Sequence, residues 1–407
     1  MKTQKLLLKN SSLWQWILFS FVLAGLTGFL FRLGFLTPLP FELSLANIRQ
    51  SHSHLMFFGW GGLFPLYFIS IVIMPGYHAA LSSRMIRYSL WVVLAFTLLS
   101  FPTFLLWGYQ LVPIGGANLP ISAILSAGVM IGWYMFFASY LAIRRKKKEI
   151  DSNIWFEGAL LMLFVSSLGA WAVGVVQIFG IGPEFLEKLL PNFFLTTYTE
   201  GWILLALLGF VIKMLDIKEA DLLVSSKILV FCIAIGAPMS FPFGMPELLS
   251  NPMQSLFARI GSFLVSTSVL LFVASIIKSG KLKHSLWKWP IAFLCLKGLM
   301  QFVATFLFYD PILTNHGTRI QYLHVLFLGA YTSAVSIIYA SYITNLKRYL
   351  NPIFYSVVLV LFSLLLLSWF WPLSLIGTWI YDALAIAALG PVLTVTALWI
   401  KLRTRTT

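Results

Sequence analysis

Three histidines lie inside long apolar runs of this 407-residue chain. An imidazole in such surroundings needs a hydrogen-bond partner, a metal or a proton to exchange. His52 and His54 occur in the stretch Arg49-Gln-Ser-His52-Ser-His54-Leu-Met-Phe-Phe-Gly-Trp60-Gly61-Gly62, and His324 occurs in Arg319-Ile-Gln-Tyr322-Leu-His324-Val-Leu-Phe-Leu-Gly329. Residues two apart on a helix point about 200° apart, so His52 and His54 cannot face one metal together, and one of them should face a partner helix. His324 falls at about the same depth from the same face, and a pair at matched depth can share one ligand. Imidazoles from two facing helices, glycines such as Gly61 and Gly62 that let a flat macrocycle approach, and abundant Phe and Trp are what a low-spin haem requires. Arg49 precedes His52 by three residues and Arg319 precedes His324 by five, where bidentate cations would suit haem propionates. The same residues serve equally as histidines that hydrogen-bond across helices beside arginines at the membrane interface.

Other polar residues in apolar runs offer further chemistry. Glu200, in Thr199-Glu200-Gly201-Trp202, could relay protons or ligate a metal, or it could cap a helix or pair with a cation. Lys297 and Arg259 could mark a path for protons or an anionic substrate, or pair with Glu157 or Asp382. Met56, Met239, Met245 and Met253 are soft potential copper ligands, but scattered methionines in an apolar bundle are usually packing.

The elements that hold these residues are transmembrane helices. A chain 59% hydrophobic, 16% aromatic and 10% charged has more apolar surface than one soluble core can hide, so a lipid bilayer must be its solvent. Apolar runs of roughly 20 residues match the ~30 Å hydrocarbon layer as helices. Twelve are expected, at 14–36, 48–74, 88–112, 120–143, 155–180, 193–215, 226–243, 253–278, 287–308, 320–344, 352–371 and 376–400, with the seventh the least regular. The fold class is therefore all-α and polytopic, a single integral membrane domain over residues 1–407 with no convincing internal repeat. The first run is a full span with no cleavage pattern behind it, so no signal peptide is expected. Cys232 and Cys295 fall inside spans and read as core residues rather than a disulfide.

A net charge of +15 raises nucleic acid as a partner, but the placement of the charge excludes it. Of the 28 Lys and Arg residues, 22 fall in the termini or in even-numbered connections, including the run Arg144, Arg145, Lys146, Lys147, Lys148. The positive-inside rule then places both termini in the cytoplasm and the chain in the inner, cytoplasmic membrane.

The motifs resemble the catalytic subunit of the haem-copper oxidase superfamily, especially its cytochrome cbb-type and nitric oxide reductase branches. In that family the second span begins Arg-x-x-His and continues to Gly-Gly, its histidine ligating the low-spin haem. Arg49, His52, Gly61 and Gly62 match this. The family's tenth span carries His-x-His, for the high-spin and low-spin haems in turn, with a glycine five positions on. Here the pattern is Tyr322-Leu-His324 and then Gly329, which keeps the low-spin ligand and lacks the high-spin one. The family's sixth-span copper histidine follows Tyr-Gly, where this chain has Tyr198-Thr199-Glu200. Its Gly-Pro-His-His corresponds to Gly236-Ala237-Pro238-Met239-Ser240, so all three copper histidines are absent.

The resemblance thus implies a twelve-helix oxidase-like bundle holding one low-spin haem b through His52 and His324, with His54 as an alternative ligand. It implies no copper and no conventional oxygen reductase, and points to electron transfer, redox or gas sensing, or haem handling, with an unidentified redox partner. NnrS-type proteins, twelve-span membrane proteins linked to nitric oxide stress, have a similar histidine-bearing second span. A haem-free transporter or scaffold built on the same bundle, with Glu200, Arg259 and Lys297 around a cavity and broken helices near Pro238, Pro242 and Pro246, is the alternative of a different class.

Overall fold

The computed structural model describes residues 12–73, 81–146, 154–181, 183–243, 245–283, 285–307, 310–342, 347–375 and 377–403. His78, His284 and the basic residues Lys2, Lys5, Lys9, Lys147, Lys148 and Arg405 lie outside them. Apart from one small hairpin, β1 (Val112–Ile114) with β2 (Ala117–Leu119), the described chain is helical. In order run α1 (Leu13–Leu33), α2 (starting at Leu45), α3 (Leu81–Trp107), α4 (Ile121–Lys146), α5 (Ile154–Phe179) and α6 (starting at Glu184). Then follow α7 (Ser226–Met239), α8 (Pro252–Lys278), α9 (Lys288–Phe306), α10 (starting at His316), α11 (Lys347–Leu365) and α12 (Trp379–Arg403).

Eleven of these helices are long and apolar enough to cross a membrane. The exception is α7, which is 14 residues long. At 1.5 Å per residue it covers only about 21 Å. Expected over 226–243, it stops at Met239, one residue past Pro238, turns, and resumes as the single turn Pro246–Leu249. Asn192 of α6 bridges this break by donating to the carbonyls of Phe241 and Phe243. Gly236 of α7 and Gly261 of α8 let the two helices touch backbone to backbone.

Three helices form the centre. In α2, α6 and α10 the apolar window is 78%, 83% and 89% buried, against 39–56% in the other spans. The outer helices turn large apolar side chains outward, among them Phe231, Phe362, Ile386 and Leu393. In a soluble protein such a surface would aggregate; in a bilayer it is the solvated face.

The three central helices share a second property, a widened turn in the middle. α2 is α-helical over Leu45–His54 and π-helical over Leu55–Gly62, then α-helical over Leu63–Phe68. α6 is π-helical over Thr197–Ile203 between Glu184–Thr196 and Leu204–Met214. α10 is π-helical over Val325–Thr332 between His316–His324 and Ser333–Tyr342. A π turn offsets the regular pairing of backbone groups and often marks a functional site. Here the carbonyls of α2 are taken up by its neighbours. Phe57 accepts from the Tyr198 hydroxyl, Trp60 from the Tyr331 hydroxyl at 2.9 Å, and Gly61 from the Trp202 indole at 3.0 Å. Trp60 in turn donates to Thr332 Oγ1 at 2.9 Å. Such bonds between buried groups tie α2, α6 and α10 together where lipid offers no competing partner.

Candidate functional site

His52 and His54 leave α2 in opposite directions, as helical periodicity requires. His52 turns toward α1, where its Nδ1 lies 2.7 Å from the Ala24 carbonyl. Gly28 makes room for it, since a methyl group there would stand 3.0 Å from His52 Cε1. His54 turns toward α3 and stacks on Phe104, with ring centroids 3.7 Å apart, beside Phe58 and Tyr109. Burial pushes the Tyr109 phenol up to about 12, so it remains protonated there.

His324 completes the group. Its Nδ1 lies 2.7 Å from the Ile320 carbonyl, one turn back on α10, and His52 is near enough to act on it electrostatically. A carbonyl oxygen can only accept, so the Nδ1 of each of these imidazoles carries the proton and donates it. That fixes one tautomer in both rings and leaves each Nε2 with its lone pair. A ring held by Nδ1–H to a backbone carbonyl with a bare Nε2 is the usual arrangement of an iron- or zinc-ligating histidine. Both side chains are half-buried although Ser51 and Val325 beside them are buried, so they keep accessible surface. Donor type and tautomer are those an imidazole needs to ligate a haem iron.

The sequence-predicted surroundings are rearranged. Gly61 and Gly62 lie in the π turn and admit protein: a methyl group on Gly61 would strike the Phe327 ring and the Ile203 side chain, and one on Gly62 would lie 3.2 Å from the Tyr198 hydroxyl. They permit close packing of α10 and α6 on α2. Gly28 is the glycine beside the imidazole. Among the arginines, Arg49 is exposed, and Arg319 donates to Asn192 Oδ1 at 2.9 Å. The cation that acts on both His52 and His324 is Arg32, at the end of α1, and all three arginines are near enough to act on His316. Gly28 and Arg32 escaped the sequence reading, although a charged residue four positions after a glycine at the end of the first span was a signal that both share a face.

On the other side of α10 lies an ionic cluster. Lys297 of α9 is fully buried and forms an ion pair with Glu200 in the π turn of α6, itself 3% exposed. Tyr322 donates to the second Glu200 oxygen at 2.6 Å, and Lys297 donates to Gln301 Oε1 at 2.6 Å while standing 5.7 Å over the Tyr322 ring. Both Glu200 oxygens are therefore engaged by protein donors. A buried pair of this kind survives desolvation only when its remaining hydrogen bonds are met, as they are here. Arg259, expected near the same cavity, instead donates to the Thr305 and Leu307 carbonyls, both at 2.7 Å. Glu157 pairs with Arg144 at 2.8 Å, so it is the partner of neither Lys297 nor Arg259.

No cluster of three or more His, Cys, Asp or Glu side chains suited to a metal ion occurs among the described residues. Met253 is exposed, Met245 is buried, and Met239 packs on Gly261. Cys232 and Cys295 are both free thiols. No known protein family matches the chain, and no curated protein is similar to it in sequence.

Proposed function

We propose that this protein is an integral-membrane haem b protein that holds one low-spin haem between α2 and α10, with His52 and His324 as axial ligands, and that it transfers electrons. The observation that carries this is the pair of neighbouring imidazoles, each with Nδ1–H bound to a backbone carbonyl and Nε2 bare. When bound, a haem supplies a one-electron couple. Held by His52 and His324 together, it would serve electron transfer rather than oxygen or nitric oxide chemistry. Arg32, with Arg49 and Arg319 nearby, supplies positive charge for propionates at the same end of the bundle.

The resemblance of Arg49-x-x-His52 and His324-x-x-x-x-Gly329 to the oxidase low-spin site supports the ligand assignment. At the positions where that family places its high-spin and copper ligands, Tyr322 donates to Glu200, and Glu200 is paired with Lys297. This supports a bundle with one redox centre. The basic connections support an inner-membrane location with both termini in the cytoplasm.

The test is a reduced-minus-oxidised spectrum of purified wild type, His52→Ala, His324→Ala and His54→Ala after expression with ample haem. Wild type and His54→Ala should show a low-spin b-type spectrum, and the other two should lose it. A wild type without a Soret band would reject the proposal. That result would favour a haem-free transporter, for which the buried Glu200–Lys297 pair and the break between Met239 and Pro246 are the supporting features.

A further inference from the structure

Where α7 breaks, two of its leftover carbonyls are taken up by a single side chain. Pro238 and Pro242 bring no N–H to the backbone, so the chain past Met239 runs as turns. The Phe243 amide bonds to the Ser240 carbonyl at 3.1 Å and the Met245 amide to the Pro242 carbonyl at 3.0 Å. The carbonyls of Phe241 and Phe243 still need donors, because lipid supplies none. Buried Asn192 of α6 donates Nδ2 to Phe241 and, at the longer 3.5 Å, to Phe243, while the Phe193 ring meets Phe241 edge-on at 5.6 Å. Phe243 itself packs in a small apolar cluster with Leu249, Ala258, Ala304 and Leu313, apart from the main core. A satellite cluster of this size has little buried area of its own to hold it in place.

The other end of the Asn192 carboxamide is held from α10, where Arg319 donates to Oδ1 at 2.9 Å. A carboxamide has one accepting end and one donating end, so a donor fixed on Oδ1 decides that Nδ2 points at the α7 carbonyls. Without Arg319, Oδ1 becomes a buried acceptor that has lost this donor, and an amide that turns to relieve it takes Nδ2 away from Phe241. Capping the break alone would not call for a cation from the helix that carries His324. The path Arg319, Asn192, Phe241 joins three helices through one side chain.

We propose that the break in α7 is a joint latched by Asn192, and that Arg319 of α10 sets how firmly the latch holds. With Arg319 on Oδ1, the carboxamide is fixed and both α7 carbonyls are met. When Arg319 withdraws, the amide turns, the carbonyls are released and the cluster around Phe243 separates from α6. The pair of Lys188 with Glu247, at 3.9 Å and well exposed, adds little to hold it. Coupling through a shared contact is reciprocal. A shift in the first turn of α10 therefore loosens the joint, and opening of the joint frees that turn, five residues before His324.

The experiment is hydrogen exchange on the purified full-length protein in detergent, resolved to the Phe243 and Met245 amides of the joint and the Thr318 and Arg319 amides of α10. Asn192→Leu should speed exchange at the joint about tenfold, as expected for roughly one lost hydrogen bond. Arg319→Met should speed it severalfold although Arg319 touches neither Phe243 nor Met245. The double variant should be no faster at the joint than Asn192→Leu alone, because both act through one contact. Asn192→Leu should also speed exchange at Thr318 and Arg319. Asn192→Asp keeps an acceptor for Arg319 and loses the donated bonds, so it should speed the joint and leave the α10 amides as in wild type. That variant separates the two halves of the latch even where Arg319→Met fails to fold. Unchanged exchange at the joint in Arg319→Met would overturn the inference and leave Asn192 a cap of the break. So would multiplied effects in the double variant, or α10 amides unmoved by Asn192→Leu. The measurement needs no haem, so its outcome stands apart from that of the haem assignment.

Discussion

The stretch from Arg49 to Gly62 and the stretch from Arg319 to Thr332 are two versions of one local structure. Arginine, histidine and glycine recur in register at Arg49, His54 and Gly59 and at Arg319, His324 and Gly329. In both, the histidine is the last residue of an α-helical segment and donates from Nδ1 to the carbonyl four residues back, at 2.8 Å to Gln50 and 2.7 Å to Ile320. In both, an eight-residue π segment begins at the next residue. Yet His54 is stacked on Phe104, whereas His324 reaches the neighbourhood of His52 and Arg32. The residue two positions earlier also differs: His52 turns to α1, and Tyr322 turns to Glu200. A repeated backbone pattern thus fixes where an imidazole starts and which of its nitrogens is bare. The neighbouring helix decides what that nitrogen meets.

The sharpest way to break this comparison is to remove each histidine. His324→Ala should abolish a low-spin haem spectrum, and His54→Ala should retain it, as read by difference spectroscopy. Equal loss in both would show that the two stretches are functionally equivalent. The next effect is on the Tyr322 side. Lys297→Ala strands the Glu200 carboxylate and should cost about 3–5 kcal/mol. Lys297→Met with Glu200→Gln, which removes both charges, should recover most of that, as measured by unfolding in detergent. Tyr322→Phe leaves one Glu200 oxygen without its donor and should cost about 1–3 kcal/mol.

Smaller differences separate the two glycines. A methyl group at Gly59 would lie 2.8 Å from Ser20 Cβ, and one at Gly329 would lie 3.0 Å from the Phe293 ring. Gly59→Ala should therefore cost about 1–3 kcal/mol, and Gly329→Ala less, because the ring can turn aside. A pH effect remote from both stretches serves as a control. Hydrogen bonds from Lys218 to Asp216 and from Lys281 to Asp221 hold both carboxyls below the usual carboxylate range. Their contribution is present above the ordinary value near 3.9 and is lost as pH falls through the lowered ones. Hydrogen exchange in the 215–225 connection should speed up only in that acid range, with the histidine sites unaffected.

Much of the architecture was legible because the bilayer leaves few choices. Apolar runs of spanning length must be helices; all twelve expected runs are helical, and eleven are long enough to span. The divergence of His52 and His54 followed from 100° per residue. The repeat of Arg, His and Gly was also in plain view, but its two copies are 270 residues apart and short, and it gains meaning only from the shared π turns. Pairings were illegible. Glu200 and Lys297 stand 97 residues apart on helices that meet only in the folded bundle, and nothing local distinguished Lys297 from Arg259 as the partner. The length of α7 was misjudged because hydropathy continues through Pro238, whereas the helix requires backbone groups that proline denies it.

The π segments also set how the gene for this protein can change. In an α-helix each residue advances the face by 100°, and a π turn accommodates a residue beyond the regular count. Deleting one codon between those for Leu55 and Gly62 would let α2 close into a regular helix and leave the later residues near their present faces, because the π turn already absorbs that residue. What changes is the backbone: the carbonyls that now receive Tyr331 and Trp202 would pair within α2, and both donors would lose their acceptors. A one-codon deletion outside the π segments has no such slack and would rotate everything after it by about 100° relative to His52.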